Sequence, residues 1–126
     1  MTEHEEQAAV IAWRDLRALT DWRVGLLYAI PNGGHRAPKT ARTLKAEGVL
    51  AGMPDLCLPV SRDGDYTDPA YGALYIEMKA EHGRTSAVQN ERIVQLVRAG
   101  NQVAVCHSAG AAIETICDYL GIEEGA

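Results

Sequence analysis

The 126-residue sequence holds no apolar run near the ~18–20 residues that a membrane-spanning helix needs, so no such span is expected. Nor does it open like a signal peptide: Met1 to Gln7 is acidic, without the basic-then-apolar layout, and the expected location is the cytoplasm. Cysteine is scarce. Cys57, Cys106 and Cys117 are odd in number and far apart, which argues against a disulfide framework and for buried thiols in a reducing compartment. No CxxC pairs with a histidine cluster, so a structural zinc site is not expected. Phe is absent, and the two Trp and five Tyr are scattered, which argues against the aromatic platforms of a single-strand-binding surface. An excess of positive charge is also missing, the net charge being −5.

Charge distribution is more informative than the total. Between Arg23 and Ala46 lie Arg23, Arg36, Lys39, Arg42 and Lys45 with no acid. After His107 the order reverses: Glu114, Asp118, Glu123 and Glu124 occur with no Lys or Arg. One basic face on an acidic body is therefore expected.

What is present fits one globular domain over residues 1–126, with 47% apolar residues. Helical periodicity predicts a helix over 3–20, capped by Thr2 and opened by Glu3, Glu5 and Glu6, with Val10, Trp13 and Leu16 on its apolar side. A strand is predicted over 24–30, stopped by Pro31-Asn32-Gly33-Gly34, and a second helix over 38–47. Two strands follow, 55–60 and 73–79, joined by an Asp-, Gly- and Pro-rich loop. Then come a helix capped by Ser86, with Val88, Ile93, Leu96 and Val97 inward, a strand over 102–107, and a helix over 109–120 ending at Gly121. The order αβαββαβα implies an α/β fold with a mixed central sheet flanked by helices.

The chemistry concentrates in Pro54-Asp55, then 21 residues, then Glu77-Met78-Lys79. Two residues apart on a strand, Glu77 and Lys79 leave the same face, roughly 7 Å from each other. If the two strands pair, Asp55 lies beside Glu77. Carboxylates held that close repel unless a cation sits between them. Mg²⁺ or Mn²⁺, hard ions that take carboxylate oxygens, are the natural partners. A lysine alongside can position water or offset charge developing on a phosphate. On its own the pattern is common, since Glu-x-Lys often faces solvent and Asp after Pro often starts a turn.

The surrounding text gives it weight. Glu3-His4-Glu5-Glu6-Gln7, Ala29-Ile30-Pro31-Asn32-Gly33-Gly34, Leu44-Lys45-Ala46-Glu47-Gly48, Gly52-Met53-Pro54-Asp55-Leu56, Ile76-Glu77-Met78-Lys79 and Ser86-Ala87-Val88-Gln89 occur in this order. Together they resemble the VRR-NUC family, a virus-type branch of the PD-(D/E)XK nuclease superfamily. The resemblance implies the restriction-endonuclease-like fold and a metal-dependent DNA endonuclease. By it, Asp55, Glu77 and the Met78 backbone carbonyl are metal ligands and Lys79 is the catalytic lysine.

The family also carries a first-helix carboxylate followed four residues later by Gln. Glu3 with Gln7 fits that spacing, with Glu6 as the competitor. Gln89 is expected to point toward the site. Asn32 and Gly33 are candidate phosphate contacts through backbone N–H groups, and Lys39, Arg42 and Lys45 through their charges. Basic residues recurring every third position drift about −60° per step around a helix, so they wrap it rather than line one stripe. The resemblance further implies a homodimer acting on branched DNA such as a four-way junction, and a phage origin in a bacterial host. A flap- or end-acting or less selective DNA nuclease, and a non-catalytic nucleic-acid-binding or dimerisation module, are the alternative readings.

Overall fold

The computed structural model describes residues 1–31 and 38–125, without the side chains of Pro38 and Lys39. Helix α1 runs Glu3–Arg17. Its start is set by a capping box: the Thr2 hydroxyl accepts from the Glu5 N–H, and the Glu5 carboxylate accepts from the Thr2 N–H, both at 3.1 Å. The chain then tightens instead of extending. Asp21 accepts from the Arg23 N–H and pairs with its guanidinium at 2.8 Å, and Val24–Leu26 form a 3₁₀ turn. Strand β1 is thereby cut to Tyr28–Ala29, shorter than the 24–30 predicted from its apolar run.

Helix α2 (Pro38–Ala46) leads to β2 (Leu56–Leu58), β3 (Leu74–Met78), α3 (Ala87–Arg98), β4 (Gln102–Cys106) and α4 (Ala109–Leu120). The four strands form one sheet in the order β1-β2-β3-β4, with β1–β2 and β2–β3 antiparallel and β3–β4 parallel. This is the predicted mixed α/β architecture in the predicted order. The long β3–β4 connection holds α3, as a parallel crossover requires.

The core lies on one face of the sheet. Leu56, Leu58, Leu74, Ile76 and Met78 are fully buried there against Val10 of α1 and Ala112, Ile116 and Tyr119 of α4. Each large apolar side chain removed from water this completely contributes about 1.5–3 kcal/mol. All three cysteines are buried free thiols. Gly121 closes α4 in the left-handed conformation at φ +68°, where glycine has no Cβ to clash.

Two packing expectations fail. Leu16, expected on the apolar side of α1, is 72% exposed: it lies one residue before the helix ends at Arg17, past Val10, Ile11 and Trp13, which pack in or on the core. In α3, Ile93 and Leu96 are half-buried while Val88 and Val97 are about half exposed. That helix lies against the β4 side of the sheet, and among the described residues it has no fully buried side chain.

The loop between β2 and β3 folds back on itself through antiparallel pairing of Arg62 with Tyr71. It sits at the end of the sheet opposite Asp55 and Lys79, since β2 runs away from Asp55 and β3 runs toward Lys79.

Candidate active site

Antiparallel pairing of Leu56 with Ile76 puts the preceding Asp55 opposite Glu77. Asp55 is fixed there because its Oδ2 accepts from the Met78 N–H at 2.7 Å. The loop before it is held from behind. Gly52 takes φ +78°, and a Cβ at that position would stand 2.6 Å from Val88 Cγ1 and 2.8 Å from the Val88 carbonyl oxygen. Only glycine lets this loop close onto α3. Arg92 of α3 donates to the Ala51 carbonyl at 3.2 and 3.3 Å, clamping the same loop, and Pro54 is buried.

Among the described residues Glu77 is the one buried charged side chain, with 2% of its surface exposed. Desolvation, and then the nearby Asp55, push its pKa up to about 8, while Lys79 works in the opposite direction. Lys79 Nζ stands 3.5 Å from Glu77 Oε1. Gln89 Nε2 donates to that same oxygen at 3.1 Å, while Gln89 Oε1 accepts from the Ser86 N–H at 2.8 Å to close the capping box of α3. A glutamate in place of Gln89 could also cap the helix, but only an amide both accepts from Ser86 and donates to Glu77.

The third carboxylate comes from α1. Glu3, Asp55 and Glu77 each offer an oxygen within 4.8 Å of the others, and the described residues contain no other such group of three. Three carboxylates, one of them desolvated, gather with Lys79 beside Glu77. That donor set fits a hard divalent cation, which takes carboxylate oxygens and offsets the repulsion between them. Glu6, the competitor for the first-helix position, turns elsewhere: its carboxylate accepts from the Ala109 N–H at the start of α4.

The structure therefore brings together Glu3, Asp55, Glu77, Lys79 and Gln89. Met78 joins them through its backbone, with its side chain in the core. The predicted DNA contacts are less gathered. Arg42 and Lys45 lie exposed on α2. Lys45 also borders a cavity of about 500 Å³ between α2, the 48–51 loop and Arg92. Asn32, Gly33 and the Lys39 side chain fall outside the described residues.

Three contributors escaped sequence reasoning. Gly52 stood in a quoted motif, and only its close approach to Val88 gives it a purpose. Arg92 reads as an ordinary helix-surface base. His107 follows the end of β4, its Nδ1 2.9 Å from the carbonyl of Ala80, the residue after Lys79.

The sequence matches the family model of the VRR-NUC domain over residues 1–110. Among solved structures it is similar to a VRR_NUC domain protein, with a TM-score of 0.75 and 26% identity over 98% of this chain and 91% of that chain. A comparison with curated proteins returned no significant match. The fold, the order of its elements and the family match over residues 1–110 agree: the chain belongs to the VRR-NUC family of nuclease domains.

Proposed function

We propose that the protein is a divalent-metal-dependent DNA endonuclease in which Glu3, Asp55 and Glu77 hold Mg²⁺ or Mn²⁺ and Lys79 serves the chemistry. The convergence of those three carboxylates, with Lys79 3.5 Å from Glu77, carries this reading. The Met78 carbonyl would add a further oxygen ligand. When bound, the cation would supply Lewis-acid stabilisation of the phosphate charge and lower the pKa of the attacking water.

The chain's own groups divide the remaining work. Lys79, with 12% of its side chain exposed, would hold the attacking water or a phosphate oxygen. In either position its ammonium offsets the negative charge that grows as water adds to phosphorus and the opposite ester oxygen departs. Gln89 locks the orientation of Glu77. Asp55 is locked in turn by the Met78 amide, so two of the three carboxylates are oriented by the protein before any ligand arrives.

Lys39, Arg42 and Lys45, with Asn32 and Gly33, would contact DNA phosphates and contribute affinity without sequence information. We further propose that residues 1–126 act as one domain, that two copies pair, and that branched DNA is the preferred substrate. Two sites related by a twofold axis can cut two strands symmetrically, which one small domain does not.

Labelled four-way, flap and linear duplex DNAs incubated with Mn²⁺, Mg²⁺ or EDTA test the reading. Metal-dependent cleavage is expected, with paired symmetric cuts on the four-way junction. Cleavage in EDTA would remove the metal from the mechanism. Equal cutting of all three substrates would remove the junction preference and leave the nuclease.

A further inference from the structure

Glu3 is the first residue of α1, where helices fray and N–H groups have no intrahelical partners. A carboxylate carried there converges with Asp55 and Glu77 only if the first turn is held from outside. Among the described residues, two long-range side-chain bonds tie α1 down. Arg14 donates to the Leu27 carbonyl at 2.9 Å near the helix C-terminus. Glu6, three residues after Glu3, accepts from the Ala109 N–H near its N-terminus. The Glu6 contact is well matched electrostatically: Ala109 is the first residue of a twelve-residue helix whose positive end favours an anion. Ser108 meanwhile takes the Ala111 amide at 3.1 Å, so the two side chains satisfy different N–H groups of α4. Glu6 is half-buried and lines a cavity of about 360 Å³ with Met1, Glu81, His107 and Ser108.

We infer that Glu6 is a positioning residue for the carboxylate site: its bond to Ala109 fixes the first turn of α1 against α4 and so keeps Glu3 within ligand range of Asp55 and Glu77. The inference rests on reading those three carboxylates as a cation site. Glu6 is no ligand in this arrangement. Its effect on the cation passes through Glu3.

Mn²⁺ binding to the full chain, measured by calorimetry and by the paramagnetic resonance of free Mn²⁺, tests it. Glu6→Ala is expected to weaken Mn²⁺ binding about tenfold, the scale on which groups that orient ligands act. Glu6→Gln keeps an acceptor for the Ala109 N–H and is expected to stay close to wild type. Glu3→Ala weakens binding directly, and Glu3→Ala/Glu6→Ala should be no weaker than Glu3→Ala alone, because the two act through one ligand. If Glu6→Ala does not fold, Glu6→Asp, which draws the carboxylate back by one methylene, takes its place in the comparison. Unchanged Mn²⁺ affinity in Glu6→Ala would overturn the inference, leaving a purely structural contact. Additive losses in the double variant, or a Glu6→Gln as weak as Glu6→Ala, would overturn it as well. Wild-type chain that binds no Mn²⁺, or binds it regardless of Asp55→Ala, would instead sink the cation site itself.

Discussion

Replacing Glu77 by glutamine removes a carboxyl group from a position where only 2% of the residue surface meets solvent. In the metal-free protein, burial and Asp55 raise its pKa from 4.5 to about 8. At pH 7 the folded chain therefore keeps this proton while the unfolded chain has lost it. Each pH unit above 4.5 costs the fold about 1.4 kcal/mol, which amounts to about 3 kcal/mol at pH 7. The sign follows from the raised value: the penalty is absent below pH 4.5, grows as pH rises toward 8, and is level above that. An amide at position 77 carries no such penalty, and it can still accept from Gln89 while donating to Asp55. Glu77→Gln should thus stabilise the metal-free chain by up to about 3 kcal/mol at pH 7 and by almost nothing near pH 4.5. Urea unfolding in EDTA, followed by circular dichroism from pH 4.5 to 8, reads the difference directly. A variant no more stable than wild type at pH 7, or one whose advantage does not change with pH, would refute the electrostatic reasoning.

Lys79→Ala should lower cleavage at least about 10²-fold while DNA binding persists, a split seen by comparing turnover with a gel-shift titration. Gly52→Ala should cost about 2–4 kcal/mol, because a Cβ there collides with the Val88 side chain and carbonyl at a positive φ. Thermal unfolding checks that, and Mn²⁺ affinity should fall with it as Asp55 loses its support. Arg42→Ala/Lys45→Ala should weaken DNA binding equally across sequences and reduce the slope of log affinity against log salt by about 2. An unchanged slope would take α2 off the DNA.

The strand period alone places Glu77 and Lys79 on one face, and the register then sets Asp55 beside Glu77. That part of the site is legible in the sequence because it depends on local geometry. The choice between Glu3 and Glu6 is not. Both sit in the first turns of α1, and what separates them is the amide of Ala109, more than a hundred residues away. Gly52 and Arg92 are silent for the same reason, since their partners, Val88 and the Ala51 carbonyl, are distant in sequence. In the fold, the order of elements and the end of α4 at Gly121 follow from periodicity and turn chemistry. The length of β1 does not, because Asp21 captures Arg23 and turns the chain where the apolar run favours extension. Val88 and Val97 show another limit: apolar identity marks a helix face without saying whether anything covers it.

The role proposed for Glu3, Asp55 and Glu77 is to hold a divalent cation together. A crystal soaked in Mn²⁺, measured for anomalous scattering, tests it most directly. A peak is expected between those three carboxylates, with Lys79 beside it and Glu6 still on the Ala109 amide. A peak elsewhere, or none at a Mn²⁺ concentration that supports cleavage, would contradict it.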